Sequence, residues 1–214
     1  MQGKLYFKDI SFQDKTTVTD KTIISSQSDS LDIRSCSFTF SHPSSGSFYA
    51  SCAHLFIGVG TSFSFPEATS PATLLLDCGG GIHGSHNLTL SEVTIYNANL
   101  KVANLPPSSN LALLSTQITS GNVMIIGPAT NVNIKMEGTS LTDKRVLIVD
   151  HPDSSGTVVY HGVWLESPPF AGIRGWTSDN PKWQWWIQGC DLTFHQLAGF
   201  EKMTGDWTRL SHNF

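Results

Sequence analysis

One short pattern of apolar residues recurs along the chain, and its clearest copy is Leu88-Thr-Leu90-Ser-Glu-Val93-Thr-Ile95. The rule is apolar, any, apolar, any, any, small or apolar, any, apolar. Seven copies follow it, with the second apolar position at residues 7, 33, 90, 113, 136, 160 and 187. The steps between residues 90 and 160 are 23, 23 and 24 residues, and the longer step from 33 to 90 leaves room for a degenerate copy near Leu55 and Ile57. Repeats of this length predict stacked supersecondary units.

Each tight repeat also contains a second apolar pair, which alternates with polar neighbours as a half-buried strand does. These pairs are Leu100/Val102, Val123/Ile125 and Val146/Ile148, and a proline follows each of them. No helix of 10–12 residues fits into this cycle, and the low charged fraction of 14% with abundant Ser, Thr and Gly favours β-structure. Equal units with strands at equal offsets predict an all-β parallel solenoid of about eight coils with inward side chains in columns.

The repeat also predicts how the chain is divided. Residues 1–195 are assigned to the solenoid, and the stretch 196–214, which carries no repeat, is interpreted as a C-terminal cap or interface tail. Phe63-Ser-Phe65-Pro66 and Pro71 interrupt the pattern, and Gly79-Gly-Gly81 follows a short apolar run. Because proline and glycine clusters mark turns, an irregular insertion is expected over about 58–87.

Coils of about 23 residues, with Ile, Leu and Val columns inside and Ser, Thr and Asn outside, resemble the right-handed parallel β-helix of pectate-lyase-like proteins and phage tailspikes. The resemblance spans residues 5–195 and rests on the packing pattern. It implies a right-handed parallel β-helix. The functions it implies are polysaccharide cleavage by lyases or hydrolases, and glycan or cell-surface binding by adhesins. Tailspike-like proteins are homotrimers, so a homo-oligomer or larger assembly is expected.

Composition and charge narrow the function classes. A net charge of −4 without a Lys/Arg cluster argues against nucleic acid as a partner. No run of about 18 apolar residues is present, so no membrane span is expected. Met1 to Lys4 lead directly into the first repeat, so no signal peptide is expected, and a virion or extracellular surface is the predicted location. The four cysteines match no zinc motif, and neither a metal nor a cofactor is predicted. Cys36 and Cys190 occupy an inward column, and a Cys52–Cys78 bridge stays open.

Catalytic candidates come from the outward column that follows the second apolar position. This column places Glu137 beside His161 in the adjacent coil, and Glu166 lies further along the same stretch as His161. An acid–histidine pair with a second carboxylate could perform general acid/base chemistry on a glycosidic bond. A solvated polar face is the alternative, because no column shows two acidic residues in adjacent coils. Lys8, Asp32 and Arg34 share one face, which is a thin cluster for a lyase.

Tryptophans are concentrated in the C-terminal third. Trp164 and Trp186 are expected to point outward, and with Trp183 they are the candidate ligand-binding residues, because large aromatic rings left in water indicate a partner. That partner could be a sugar ring, a neighbouring subunit or the tail. Two further clusters, Asp150-His-Pro-Asp153 and the pair His83 and His86, could hold a metal or sugar, although a proline turn explains the first equally well.

Three functions follow from these features. The first is a receptor- or glycan-binding module of a phage tailspike, viral spike or surface adhesin. The second is a polysaccharide lyase or glycoside hydrolase that uses Glu137, His161 and Glu166. The third is a structural segment of a larger assembly, since outward Ala112, Leu114 and Val159 suit lateral association.

Overall fold

The computed structural model describes residues 3–14, 21–26, 30–40, 46–50, 54–66, 68, 71–78, 85–141, 147–149, 151, 153–165, 172–173, 183–188 and 191–192. All regular structure in these ranges is β-strand. The first four coils contain β1 (Lys4–Lys8), β2 (Ser11–Asp14), β3 (Lys21–Ser26), β4 (Ser30–Arg34), β5 (Ser37–Phe40), β6 (Gly46–Ala50), β7 (His54–Gly58), β8 (Ser62–Ser64), β9 (Ala72–Asp77), β10 (Asn87–Ser91), β11 (Thr94–Tyr96) and β12 (Ala98–Ala103). The next coils contain β13 (Asn110–Leu114), β14 (Gln117–Thr119), β15 (Val123–Ile126), β16 (Val132–Glu137), β17 (Ser140–Leu141), β18 (Leu147–Val149), β19 (Gly156–His161), β20 (Trp164–Leu165), β21 (Gly172–Ile173), β22 (Trp183–Gln188) and β23 (Asp191–Leu192).

These strands form three sheets, each made of every third strand. Sheet A has the order β1-β4-β7-β10-β13-β16-β19-β22, and sheet B has the order β2-β5-β8-β11-β14-β17-β20-β23. Sheet C runs β21-β18-β15-β12-β9-β6-β3. Every strand pairs in parallel with the strands one coil before and after it. The predicted all-β fold, a parallel β-solenoid, is therefore confirmed.

The core consists of side-chain columns that run along the axis of the stack. In sheet A the register joins Leu31, Leu55, Leu88, Leu111, Ile134 and Val158 into one column, and all six are buried. Sheet B contributes aromatic stacking near the N-terminus, where the rings of Phe38 and Phe63 are parallel at 5.0 Å. Each inward position is therefore covered by the same position of its neighbours, which is how a solenoid buries apolar surface without helices.

The turn from sheet A to sheet B uses a left-handed residue in coil after coil. Asp9, Ser35, Glu92 and Ser115 have φ between 48° and 56°, and Gly138 continues the series at 57°. Their amides still donate to the next coil, as Ser115 N does to Glu137 O at 2.7 Å. One left-handed residue bends the chain by a fixed amount, so the parallel ladder crosses the corner without losing register.

The expected irregular insertion over 58–87 does not hold for the described part of that range. β8 and β9 lie inside it, and Phe63 pairs in register with Phe38 and Ile95. The predicted copy at Leu55 and Ile57 is present in β7. Its spacing is 2-4-2 instead of 2-3-2, because the corner around Gly60 (φ 75°) holds one extra residue. That extra residue, together with Pro66, made a regular coil look like an excursion.

The pair predicted as Val146 and Ile148 is wrong by one residue. Leu147 pairs with Val123 and Val149 pairs with Ile125, and both are buried, whereas Ile148 is half-buried. This coil is 24 residues long, and its extra residue lies between Leu141 and Leu147. A one-residue slip exchanges the two faces of a strand, so the inward residues are the neighbours of those expected.

The first coil is covered on one side only. Leu5, Ile10 and Phe12 belong to the inward columns and are 36%, 41% and 37% exposed. Their partners one coil further along, Leu31 and Cys36 among them, are fully buried. The open end of the stack therefore leaves part of its apolar surface in contact with solvent. The predicted tail, residues 196–214, lies outside the described residues.

Candidate functional site on the outer face of sheet A

The outward side chains of sheet A form three columns, which together are called the outer face of sheet A. Successive members are about 4.8 Å apart because that is the distance between paired strands. One column is amide-rich, the middle column mixes aromatic and charged residues, and the third carries most of the charges. In register order they are Lys4, Ser30, His54, Asn87, Asn110, Asn133 and Thr157; Tyr6, Asp32, Phe56, Thr89, Ala112, Lys135 and Val159; and Lys8, Arg34, Gly58, Ser91, Leu114, Glu137 and His161.

The predicted neighbours Glu137 and His161 are brought together by the pairing of β16 with β19. His161 Nδ1 lies 3.7 Å from Glu137 Oε1, and Lys135 Nζ lies 2.6 Å from Glu137 Oε2. These three residues are the Glu137 cluster. The hydrogen bond and positive charge of Lys135, with a smaller contribution from His161, lower the pKa of the Glu137 carboxyl. Glu137 is therefore an anion at neutral pH, and its cluster can accept hydrogen bonds from a ligand but is poorly suited to donate a proton.

Glu166, the third catalytic candidate, lies outside the described residues. The backbone of Trp164 pairs with Ser140 and Asp191, and the backbone of Trp186 pairs with Val159. Trp183 is 2% exposed, so its ring is not offered to solvent. The roles predicted for Trp164 and Trp186 in ligand binding remain predictions.

A second cluster occupies the N-terminal end of the same face. Arg34 donates two hydrogen bonds to Asp32, from Nε to Oδ1 at 2.9 Å and from Nη2 to Oδ2 at 3.0 Å. Lys4 Nζ lies 3.8 Å from Asp32 Oδ2. The Asp32 side chain is only 6% exposed although it points outward. Because Asp32 accepts its hydrogen bonds, the pKa of Arg34 is raised above its ordinary value.

Aromatic rings flank this ion pair. Tyr6 and Phe56 are the register partners of Asp32 on either side. The guanidinium carbon of Arg34 lies 4.7 Å from the centre of the Phe56 ring, which is a cation–π contact. The Phe56 ring lies over Gly58, where a Cβ would collide with it. Tyr6, Asp32, Arg34 and Phe56, with Lys4 and Lys8 at the edges, are the Asp32 cluster.

An asparagine ladder lies between the two clusters. Asn110 Nδ2 donates to Asn87 Oδ1 at 2.7 Å, and Asn133 Nδ2 donates to Asn110 Oδ1 at 3.0 Å. Asn87 Nδ2 lies 3.4 Å from His54 Nδ1 at the N-terminal end of the ladder. The amides are therefore held in one orientation, and their second donors and acceptors point away from the sheet.

The two carboxylates of this face are too far apart for glycoside hydrolysis. Four strand steps separate β4 from β16, which places Asp32 and Glu137 roughly 19 Å apart at the usual inter-strand spacing. Hydrolytic carboxyl pairs are about 5–9.5 Å apart. These two residues therefore cannot act together on one glycosidic bond.

The remaining predicted sites are only partly covered. His86 is buried and its amide donates to Ser109 Oγ at 2.8 Å, while His83 lies outside the described residues. At the other corner, His151 Nδ1 accepts from the amide of Asp153 at 3.2 Å, and Asp150 is not among the described residues. Cys36 is a buried free cysteine that donates to Arg34 O at 3.1 Å, in line with a core role. Cys52 is not described, so the Cys52–Cys78 bridge remains open. In the part of the chain that the structure describes, no three His, Cys, Asp or Glu side chains gather in a metal-binding group.

Comparison of the chain with protein-family models, with curated proteins and with solved structures gives no match. The described ranges contain no helix long and apolar enough to cross a membrane. The argument for a function therefore rests on the fold and on the outer face of sheet A.

Proposed function

We propose that the chain is a receptor- or glycan-binding β-helix module, of the kind found in phage tailspikes, viral spikes and surface adhesins, acting on a virion or extracellular surface. The asparagine ladder on the outer face of sheet A is the observation that carries this proposal. Asn87, Asn110 and Asn133 present fixed amide groups at about 4.8 Å steps. Such groups offer both donors and acceptors, which is what the hydroxyl groups of a glycan require.

The state of the carboxylates favours binding over cleavage. A glycosidase needs one carboxylic acid whose pKa is raised, so that it can protonate the leaving group. The pKa of Glu137 is instead lowered by Lys135. Both oxygens of Asp32 accept hydrogen bonds from Arg34. Neither carboxylate is therefore prepared to donate a proton near neutral pH.

A panel of bacterial and plant polysaccharides tests this proposal, with retention of the protein and release of reducing ends or unsaturated uronates followed together. We expect retention without release. Asn110→Ala should weaken retention because it interrupts the ladder on both sides. Asn99→Ala is the matched control, since Asn99 also accepts hydrogen bonds from an amide one coil away but lies on sheet C.

Release of products would instead support the polysaccharide lyase or hydrolase. Loss of that release in Glu137→Gln or Glu166→Gln would assign the catalytic role predicted for those residues. Full turnover by both variants would remove them from the mechanism. Absence of both retention and release would contradict the binding module and the enzyme alike.

The open first coil favours a second candidate, a structural segment of a larger assembly. Leu5, Ile10 and Phe12 leave apolar surface uncovered, and such surface stabilises association when it is buried. We propose a homo-oligomer, with a trimer as the first possibility. Light scattering of the purified chain measures its mass in solution, and a monomer that retains no glycan would contradict both this candidate and the binding module.

A further inference from the structure

We infer that the Asp32 cluster binds an acidic sugar unit, one that carries a carboxylate or sulfate group. This inference rests on the proposed function and deepens it, because it names a ligand class and a position on the outer face of sheet A. It is distinct from the Glu137 cluster, which lies near the other end of the same face.

Unbalanced positive charge is the first reason. Lys8 and Arg34 are register partners, so two cations stand side by side at about 4.8 Å. Like charges directly opposite each other in a sheet are destabilising. The only ion pair of Lys8 is with Asp9, at 3.8 Å and with both side chains more than half exposed, so it neutralises Lys8 weakly. An anion placed between Lys8 and Arg34 would relieve the repulsion.

The Arg34 guanidinium is already fixed in a binding orientation. Asp32 holds it through two hydrogen bonds, and the Phe56 ring supports one of its faces. Two of its five N–H groups are used on Asp32, which leaves 5 − 2 = 3 for a ligand. Because little rotamer entropy remains to be lost, such a group binds an oxyanion at lower cost than a free arginine.

Local charge supports the same conclusion. Lys4, Lys8 and Arg34 carry three positive charges, and Asp9 and Asp32 carry two negative ones, so this region has a net charge of 3 − 2 = +1. The whole chain has a net charge of −4. An acidic ligand is therefore attracted to this end of the face more than to the remainder of the surface.

Tyr6 supplies the part of the site that distinguishes a sugar from a simple ion. Its side chain is 49% exposed, it lies two residues before Lys8 on the same face of β1, and it is a register partner of Asp32. An aromatic ring in this position can pack against the apolar face of a pyranose while Lys8 and Arg34 hold the acidic group. Charge and ring together indicate an acidic glycan.

Three dextrans provide a direct test because they share one backbone: neutral dextran, carboxymethyl-dextran and dextran sulfate. Affinity electrophoresis in gels that contain each polymer measures the dissociation constant of the full chain. We expect retention by at least one of the acidic polymers and weaker retention by neutral dextran. Carboxymethyl-dextran and dextran sulfate separate the two anion classes.

Substitutions then locate the site. Lys8→Gln should weaken binding of the acidic polymer roughly five- to tenfold, which is the loss of one charged hydrogen bond at an exposed position. Tyr6→Thr should weaken it roughly threefold or more through loss of the ring contact. Lys101→Gln is the matched control, since it removes the same charge from sheet C. Circular dichroism of each variant checks that the fold is retained.

The outcomes separate this inference from the proposed function. Equal losses in Lys8→Gln and Lys101→Gln would show general charge attraction and overturn the inference. Binding of neutral polysaccharides without preference for acidic dextrans would overturn it while leaving the glycan-binding module in place. Failure to bind any polysaccharide, neutral or acidic, would overturn both.

Discussion

The first coil and the central coils are built from the same repeat but are covered differently. Leu5 and Leu111 occupy the same column of sheet A, yet Leu5 is more than one-third exposed and Leu111 is buried. A central coil is covered by a neighbour on each side, whereas the first coil has a neighbour only at β4 and β5. In a stack with nearest-neighbour contacts, position along the stack therefore decides how much one side chain contributes to stability.

The same comparison bears on function. The Asp32 cluster lies on coils one to three, and Tyr6 and Lys8 belong to β1, which is paired on one edge only. The Glu137 cluster lies on β16 and β19, which are paired on both edges. Local opening is easiest where few contacts hold a strand, so the inferred acidic-sugar site lies in the more mobile part of the outer face.

The largest expected effect is a cavity in a central coil. Leu111→Ala should lower the free energy of unfolding by about 2–5 kcal/mol, because a buried leucine is removed and its two column neighbours cannot collapse fully. Leu5→Ala removes the same atoms from the first coil and should cost about 1 kcal/mol or less, since they are partly hydrated already. Urea denaturation measures both, and equal losses would contradict the comparison.

Hydrogen exchange should show the same gradient without any substitution. Amides of β1 are expected to exchange roughly a hundredfold faster than those of β13, because opening one terminal strand breaks contacts with a single neighbour. An acidic dextran that binds the Asp32 cluster should slow exchange in β1 and leave β13 unchanged. Uniform protection along the rod would show that the stack opens only as a whole.

A buried hydroxyl provides a smaller effect in the central coils. Thr139 Oγ1 donates to Leu113 O at 2.9 Å inside the core. Thr139→Val should cost about 1 kcal/mol at most, since it removes one hydrogen bond while keeping the shape. Val93 and Val163 already occupy the same column in other coils and are buried there. Thr119→Val, on the outer face of sheet B, is the control and should change stability by less than about 0.5 kcal/mol.

The smallest effect concerns the protonation of Glu137. Its pKa is lowered by Lys135, so Lys135→Gln should raise it toward the ordinary glutamate value. A carboxyl with a lowered pKa stabilises the fold above its unfolded-state pKa, and this contribution disappears as pH falls through the folded-state value. Because Glu137 is exposed, the change in stability should be slight. NMR titration of the Glu137 carboxyl carbon measures the shift, and an unchanged pKa in the variant would contradict the assigned cause.

The sequence was sufficient to predict the fold because the 2-3-2 spacing places four side chains per coil inside. It failed where a coil contains one extra residue, at the corner near Gly60 and between Leu141 and Leu147. An extra residue at a corner leaves the packing intact but breaks the spacing by which a copy is recognised. Column alignment restores the register only after the strands are known.

The candidate sites were predictable to a similar extent. Column position alone placed Glu137 beside His161. It did not reveal Lys135, which approaches Glu137 along its own strand, although alternation of faces at two-residue spacing could have found it. Asp32 and Arg34 were placed on one face by the same alternation. The contribution of Phe56 depended on the coil whose extra residue concealed it.

The constant register of sheet A makes the chain a ruler with one coil as its division. Leu88 and Leu111 are register partners 23 residues apart, so removing residues 88–110 would join matching positions of two coils. All later inward side chains would remain inward, and the rod would shorten by one step of about 4.8 Å. The Asp32 and Glu137 clusters can therefore be brought closer only in whole steps, and any glycan that contacts both must match a distance that evolution can change by one coil at a time.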